Sequence, residues 1–185
     1  EFPDADDHFD LLVLENGAIL RRAGESRPLC APVPDELFAA LVARGIEVRR
    51  GDVLLAGKAK DALAALDEVF ALGLDSQVVQ NRGEMMILPL GVSKRSGLYE
   101  ALGELGVSHH STIAVGDAEN DHALLDLCEV GIATGNAVDA LKSRADRVVD
   151  GSAGAAITAL VNGPIVSGRE RVFSPRWSAH LGTAR

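Results

Sequence analysis

Thr112-Ile113-Ala114-Val115-Gly116-Asp117-Ala118-Glu119-Asn120-Asp121 is the stretch on which the reading of the fold turns. Thr112 to Val115 is a short apolar run that reads as a buried strand, and it ends abruptly in Gly116-Asp117. Beyond it, Ala123, Leu124, Leu127 and Cys128 recur at helical spacing. In parallel sheets, ligands bind beyond the carboxyl ends of strands, and here three carboxylates and an amide fall within five residues of such an end. That oxygen-rich set suits a hard cation such as Mg²⁺, which takes oxygen ligands and keeps several waters. A helix cap alone accounts for one or two acids. It does not account for a cluster around a glycine at a strand end.

Working outward, Val130-Gly131-Ile132-Ala133 reads as the next strand, 137–145 as a helix, Arg147-Val148-Val149 as a strand and 153–161 as a last helix. On the other side, Leu98, Ala101, Leu102 and Leu105 mark a helix that Gly106 stops. Strands alternating with helices of this length imply an α/β fold of parallel β-α-β units covered on both faces.

The first half differs. Leu11 to Leu14 is an apolar strand, and Asn16-Gly17 signals a turn into Ala18-Ile19-Leu20. Pro28, Pro32 and Pro34 then punctuate a shift to an α+β pattern: a helix at Leu37 and Leu41, a strand at Val53-Leu54-Leu55, a helix over 62–72, and strands over 77–80 and 85–88 joined through Asn81-Arg82-Gly83. An inserted domain over 28–90 is expected between core segments 1–27 and 91–162. After Gly163 the pattern fades into an Arg-bearing tail or linker over 163–185, mobile from Ser167 onward or ordered only against another chain or domain.

The chain has 185 residues, 47% of them apolar and 24% charged, which supports a sizeable core and excludes global disorder. Its net charge is −9 and its aromatics only 4%. Nucleic acid and anionic membranes are therefore not expected partners. No apolar run reaches the ~18 residues a membrane helix needs. The acidic start is unlike a signal peptide, so a cytoplasmic protein is expected. Cys30 and Cys128 read as buried thiols in a reducing compartment. The chain opens on Glu1 rather than Met, as expected of one trimmed, processed or cut from something longer.

Lys94 follows Gly91-Val92-Ser93 and precedes a helix. A cation there opposes the helix dipole, and a nearby phosphate would offset it; read alone, it is a solvated surface lysine. His109, His110 and His122 read as surface residues, since adjacent histidines do not share a helical face.

Taken in order, these features resemble the haloacid dehalogenase (HAD) superfamily, specifically its Cof-like phosphatases with a type-2 cap. Leu14-Glu15-Asn16-Gly17-Ala18-Ile19 is similar to the strand entering the cap. Leu90-Gly91-Val92-Ser93-Lys94 resembles the return from it with the family's motif III lysine, and Val115 to Asp121 resembles motif IV. Gly135-Asn136-Ala137 and then Ala145-Asp146 are similar to the usual continuation. The resemblance implies a Rossmann-like core with an inserted α+β cap. It also implies a Mg²⁺-dependent phosphomonoester hydrolase acting through an aspartyl-phosphate on a small phosphorylated metabolite, a sugar phosphate first among them. Asp117 would be a direct Mg²⁺ ligand, and Asp121 would support the metal through waters or the second shell. Asn120 would contact the phosphate or fix the loop, and Lys94 would neutralise the phosphoryl charge. Arg49 or Arg82 of the cap would meet a substrate anion.

The family's motif I, an Asp-x-Asp carrying the nucleophile, and its motif II, a phosphate-binding Ser or Thr, should precede Glu1. Asp4-Ala5-Asp6 has the spacing of motif I but no apolar strand before it. The chain is therefore read as the cap and the later half of the core, inactive alone, and completed by an N-terminal segment or another chain. A non-catalytic binding or regulatory module, and phosphomutase or phosphotransferase chemistry on the same scaffold, are the alternatives.

Overall fold

The computed structural model describes residues 4–170 and residue 172. They divide into two compact units, Glu1–Leu105 and Gly106–Arg185. The mixed α/β fold expected from the sequence is the one observed, with antiparallel sheets in the first unit and a parallel sheet in the second.

The first unit opens with a short helix α1 (Ala5–His8) and an antiparallel meander of β1 (Leu12–Leu14), β2 (Ile19–Arg22) and β3 (Glu25–Pro28). The pattern above missed β3. Its four residues, Glu25-Ser26-Arg27-Pro28, are all exposed, so they carry no apolar alternation to detect. Then come α2 (Asp35–Ala43), β4 (Val48–Arg50), β5 (Leu55–Lys58), α3 (Ala62–Ala71), β6 (Ser76–Asn81), β7 (Glu84–Pro89) and α4 (Lys94–Leu105). The sheet order is β4-β5-β7-β6, antiparallel throughout. Arg82 and Gly83, both at positive φ, turn the expected hairpin between β6 and β7.

The strand expected at Val53-Leu54-Leu55 is corrected by the structure. Between β1 and β2 the chain makes a tight turn with Glu15 at φ 47° and Asn16 at φ 56°, a conformation costing L-residues about 1–2 kcal/mol each. The turn aims the Glu15 carboxylate at the loop before β5, where it accepts the N–H groups of Asp52 (2.7 Å), Val53 (2.8 Å) and Leu54 (3.0 Å). Amides that donate to a carboxylate cannot join a ladder, so β5 starts at Leu55 and extends to Lys58. Its partner β4 was not foreseen, being a half-exposed edge strand.

Apolar clusters hold this unit together. Leu37 and Leu41 of α2 and Ala65 and Val69 of α3 pack with Leu55, Met85 and Ile87 of the sheet. Ala18, Ile19, Val53, Leu54, Leu88 and Val92 join the meander to that sheet. The first turn of α4 lies directly on the meander's backbone: a Cβ on Gly17 would fall 1.9 Å from the Ser93 carbonyl oxygen. A Cβ on Gly97 would fall 2.5 Å from Gly17 Cα. No other residue fits at either position.

The second unit runs β8 (Ile113–Gly116), α5 (His122–Leu127), β9 (Val130–Thr134), α6 (Asp139–Arg144), β10 (Arg147–Val149) and α7 (Ala153–Val161). Its sheet is parallel, in the order β10-β9-β8. The central strand β9 is buried along its whole length, as a strand paired on both sides and covered should be. Asp146 fastens β10 to it, donating its N–H to the Gly131 carbonyl (2.8 Å) while its Oδ2 accepts the Gly131 N–H (2.7 Å).

Two helices depart from the expected pattern. The inward residues of α5 are Leu125 and Leu127, with Ala123 and Leu124 only half-buried. Leu127 and Cys128 of the expected face are buried, and a 3₁₀ turn over Glu119–Asp121 precedes the helix. The helix expected over 137–145 is confined to Asp139–Arg144, because Ala137 N–H closes a turn on the Thr134 carbonyl (2.9 Å) and Val138 is extended.

Of the expected tail, the described part folds back in turns. Ile165 and Val172 pack against Val130, Ile132 and Leu160, and Arg147 pairs with Glu170. The rest of the stretch expected to be mobile lies outside the described residues. Cys128 is buried and Cys30 half-buried, neither joined in a disulfide, and burial pushes the Cys30 thiol pKa up, leaving less reactive thiolate at neutral pH. No described helix is long and apolar enough to cross a membrane.

Ile132, fully buried at the centre of β9, is among the residues whose truncation should cost this unit most. Ile132→Ala is expected to destabilise by about 2–5 kcal/mol, from lost burial plus the cavity left behind. A urea titration checks it: the midpoint should fall with an unchanged slope.

Candidate active site

The loop leaving β8 is built around one buried carboxylate. Asp121 is only 4% exposed, and its Oδ2 accepts the N–H groups of Asp117 and Ala118, both at 3.0 Å. Its own N–H donates to the Ala118 carbonyl at 3.0 Å, closing the turn. A buried carboxylate is tolerable only with such donors, so Asp121 shapes the loop and the loop in turn justifies its charge. Gly116 makes room for it: an added Cβ would lie 2.6 Å from Asp121 Cβ and 2.9 Å from its Cγ. Gly116→Ala should therefore push the carboxylate off its donors and destabilise by about 1–3 kcal/mol. Faster hydrogen exchange at the Asp117 and Ala118 amides would report the opening.

Asp117, half-buried at the carboxyl end of β8, is fixed from several directions. Its N–H goes to Asp121, and its carbonyl accepts the N–H of Val138 at 3.1 Å. Its Oδ2 accepts from Asn136 Nδ2 at 3.2 Å, while Asn136 Oδ1 accepts from the Thr134 hydroxyl at 3.0 Å. Thr134 is itself buried, 3% exposed at the end of β9. Sequence reasoning quoted Asn136 without a role and missed Thr134. The available signal was a polar residue closing an apolar strand just before Gly135-Asn136.

The three carboxylates of the loop face different surroundings. Asp121 turns inward and Glu119 is exposed. Among the described residues no group of three or more His, Cys, Asp or Glu side chains is gathered to hold a metal. Mg²⁺ is commonly bound by one or two carboxylates, waters and substrate phosphate oxygens. A single oriented carboxylate, Asp117, with the half-buried Asn120 on the same loop, fits that mode of binding.

Lys94 belongs to the other unit, where it is the first residue of α4 and half-buried. Ser93 and Ser96 cap that helix reciprocally: Ser93 N–H donates to Ser96 Oγ (2.9 Å) and Ser96 N–H to Ser93 Oγ (3.2 Å). With the close packing of Gly17 and Gly97, the cap sets where the lysine leaves the backbone. Arg49 lies exposed on β4, lining an open groove of about 580 Å³ with Lys58 and Glu84. Arg82 sits exposed at the tip of the β6–β7 hairpin.

Asp6, His109 and His110 have structural occupations. Asp6 pairs with Arg21 at 2.6 Å and accepts the Gly24 N–H, so Asp4-Ala5-Asp6 anchors α1 to the β2–β3 turn. His109 Nδ1 meets the Leu127 carbonyl and His110 Nδ1 meets Glu129, each at 3.1 Å.

Known proteins resemble this chain over both units. The chloroplastic endoribonuclease YBEY of Arabidopsis thaliana is 40% identical over 77 residues, covering 41% of this chain and 13% of that protein. A phosphoglycolate phosphatase of Pyrobaculum neutrophilum is 30% identical over 151 residues, covering 77% of this chain and 64% of the relative. The chain thus spans less than two thirds of either. The crystal structure of Thermoplasma acidophilum 0175 shares the fold, with a TM-score of 0.67 at 17% identity over 80% of this chain and 68% of that one. The sequence model of the haloacid dehalogenase-like hydrolases matches residues 55–159, more than half of the chain, and with that match the chain belongs to this family.

Proposed function

We propose that the complete protein is a Mg²⁺-dependent phosphomonoester hydrolase acting on a small phosphorylated metabolite. The observation that carries the reading is Asp117, a carboxylate fixed at the carboxyl end of a parallel strand in a chain of this family. Phosphoryl transfer is catalysed mainly by positioning and electrostatic stabilisation, and these residues are suited to both. Asp117 would hold the cation, with Asp121 fixing the loop and Asn120 on the phosphate side of it. Lys94 would neutralise charge on the phosphoryl oxygens. When bound, Mg²⁺ draws negative charge from the phosphate and orients it.

The nucleophile would be a carboxylate on a segment outside residues 4–170, forming an aspartyl-phosphate that water then hydrolyses. Residues 28–90 would act as the cap over core segments 1–27 and 91–162, with Arg49 or Arg82 meeting the substrate's second anionic group. The phosphoglycolate phosphatases among the relatives make 2-phosphoglycolate the first substrate to try and sugar phosphates the second. A cytoplasmic location fits such substrates.

Phosphate release from this panel, with Mg²⁺ and with a chelator, tests the reading. Mg²⁺-dependent release from at least one small monoester is expected. Its absence from the whole panel in the complete protein would overturn the assignment.

A further inference from the structure

We infer that Thr134 and Asn136 are positioning residues for the Asp117 carboxylate. The Thr134 hydroxyl fixes which way the Asn136 amide faces, and that amide then orients the carboxylate. The inference rests on the reading of Asp117 as the cation-holding group.

An asparagine side chain offers an acceptor on one side and two donors on the other, and a half-turn exchanges them. Only a flanking partner decides which side meets Asp117. The Thr134 hydroxyl, donating to Oδ1 at 3.0 Å, turns Nδ2 toward the Asp117 Oδ2 at 3.2 Å. Thr134 is a sound anchor for three reasons. It is β-branched and therefore stiff at χ1. It is buried, and its backbone is in register with Val149 in the middle of the sheet. The turn that carries Asn136 is closed by Ala137 N–H on the Thr134 carbonyl at 2.9 Å. Beyond Asn136, Val138 N–H binds the Asp117 carbonyl at 3.1 Å, so the same short segment holds both the main chain and the side chain of Asp117.

The chemistry of the contact suits a metal ligand. A lysine or arginine in place of Asn136 would orient the carboxylate but cancel the charge that attracts a cation. An amide orients it and leaves that charge in place. Partners of this outer kind commonly change metal affinity about 10–100-fold when removed.

The test uses the complete enzyme. Mg²⁺ is titrated calorimetrically without substrate, and kcat and KM are followed across Mg²⁺ concentration. Asn136→Ala is expected to weaken Mg²⁺ binding about 10-fold or more, with kcat recovering as Mg²⁺ is raised. Thr134→Val should show a smaller loss of the same form, and Thr134→Ser, which keeps the hydroxyl, should restore native affinity. Native Mg²⁺ affinity in Asn136→Ala and Thr134→Val, alongside its loss in Asp117→Asn, would overturn the positioning role and leave the Asp117 reading standing. Native affinity in Asp117→Asn would remove that reading and this inference with it.

Discussion

In the complete enzyme, Asp117→Asn is expected to lower phosphomonoester turnover by about 10²–10⁴-fold, the equivalent of about 3–5 kcal/mol of lost transition-state stabilisation. The substitution keeps the size of the side chain and removes its charge. The main-chain bonds of residue 117 to Asp121 and Val138 do not involve the replaced atoms, so folding should be retained. The Asn136 contact is altered, since two amides now face each other. Circular dichroism and a urea titration should match the native protein while activity at limiting Mg²⁺ collapses. Unchanged turnover there would place the cation elsewhere.

The second large effect concerns residues 1–185 taken alone. On the proposed reading Asp117 and Lys94 would supply a cation ligand and a positive charge, and neither would serve as the nucleophile. The one Asp-x-Asp in the chain is occupied structurally, with Asp6 paired to Arg21. Spontaneous monoester hydrolysis is among the slowest reactions known, and its enzymes accelerate it by up to ~10²¹. Electrostatics without a nucleophile falls far short of that. The purified chain, its mass verified, should therefore release no phosphate above background. A version carrying an upstream apolar strand that ends in Asp-x-Asp should release it, and changing the first of those aspartates to Asn should abolish the gain. Robust Mg²⁺-dependent turnover by the 185-residue chain would contradict the assignment and send the search for a nucleophile back to Asp4 and Asp6.

Much of this was legible because burial leaves a periodic trace. The β9 strand could be placed almost to the residue because it is buried and apolar throughout, and β10 and α7 were marked by their β-branched and helical-period apolar residues. What escaped lay where other forces decide. The β3 strand is exposed throughout, so nothing apolar marks it. Val53 and Leu54 looked like a strand because they are buried, but a carboxylate 38 residues away in sequence captures the Val53 amide, and no local pattern can show that. At the site, the strand-end glycine and its acids were visible. Their division of labour was not: Asp121 facing inward, Asp117 oriented and Glu119 exposed depends on which donors the folded loop supplies. The hydrogen-bond chain from Thr134 through Asn136 to Asp117 escaped for the same reason, since a link between a strand end and two loops has no period.

The contact of Gly17 with the first turn of α4 also bears on the order in which the first unit assembles. It joins the meander to a helix across nearly the whole unit, and a flexible loop of that length is entropically costly to close. Each halving of the disordered stretch saves about 0.6 kcal/mol. The β6–β7 and β4–β5 hairpins are short-range pairings that form without that cost. Once they are in place, the remaining slack is small and the two glycines are brought within reach. Folding of this unit should therefore proceed from the middle of the chain outward. Substitutions in β6 or β7 would then slow folding, whereas bulk added at Gly97 would mainly speed unfolding.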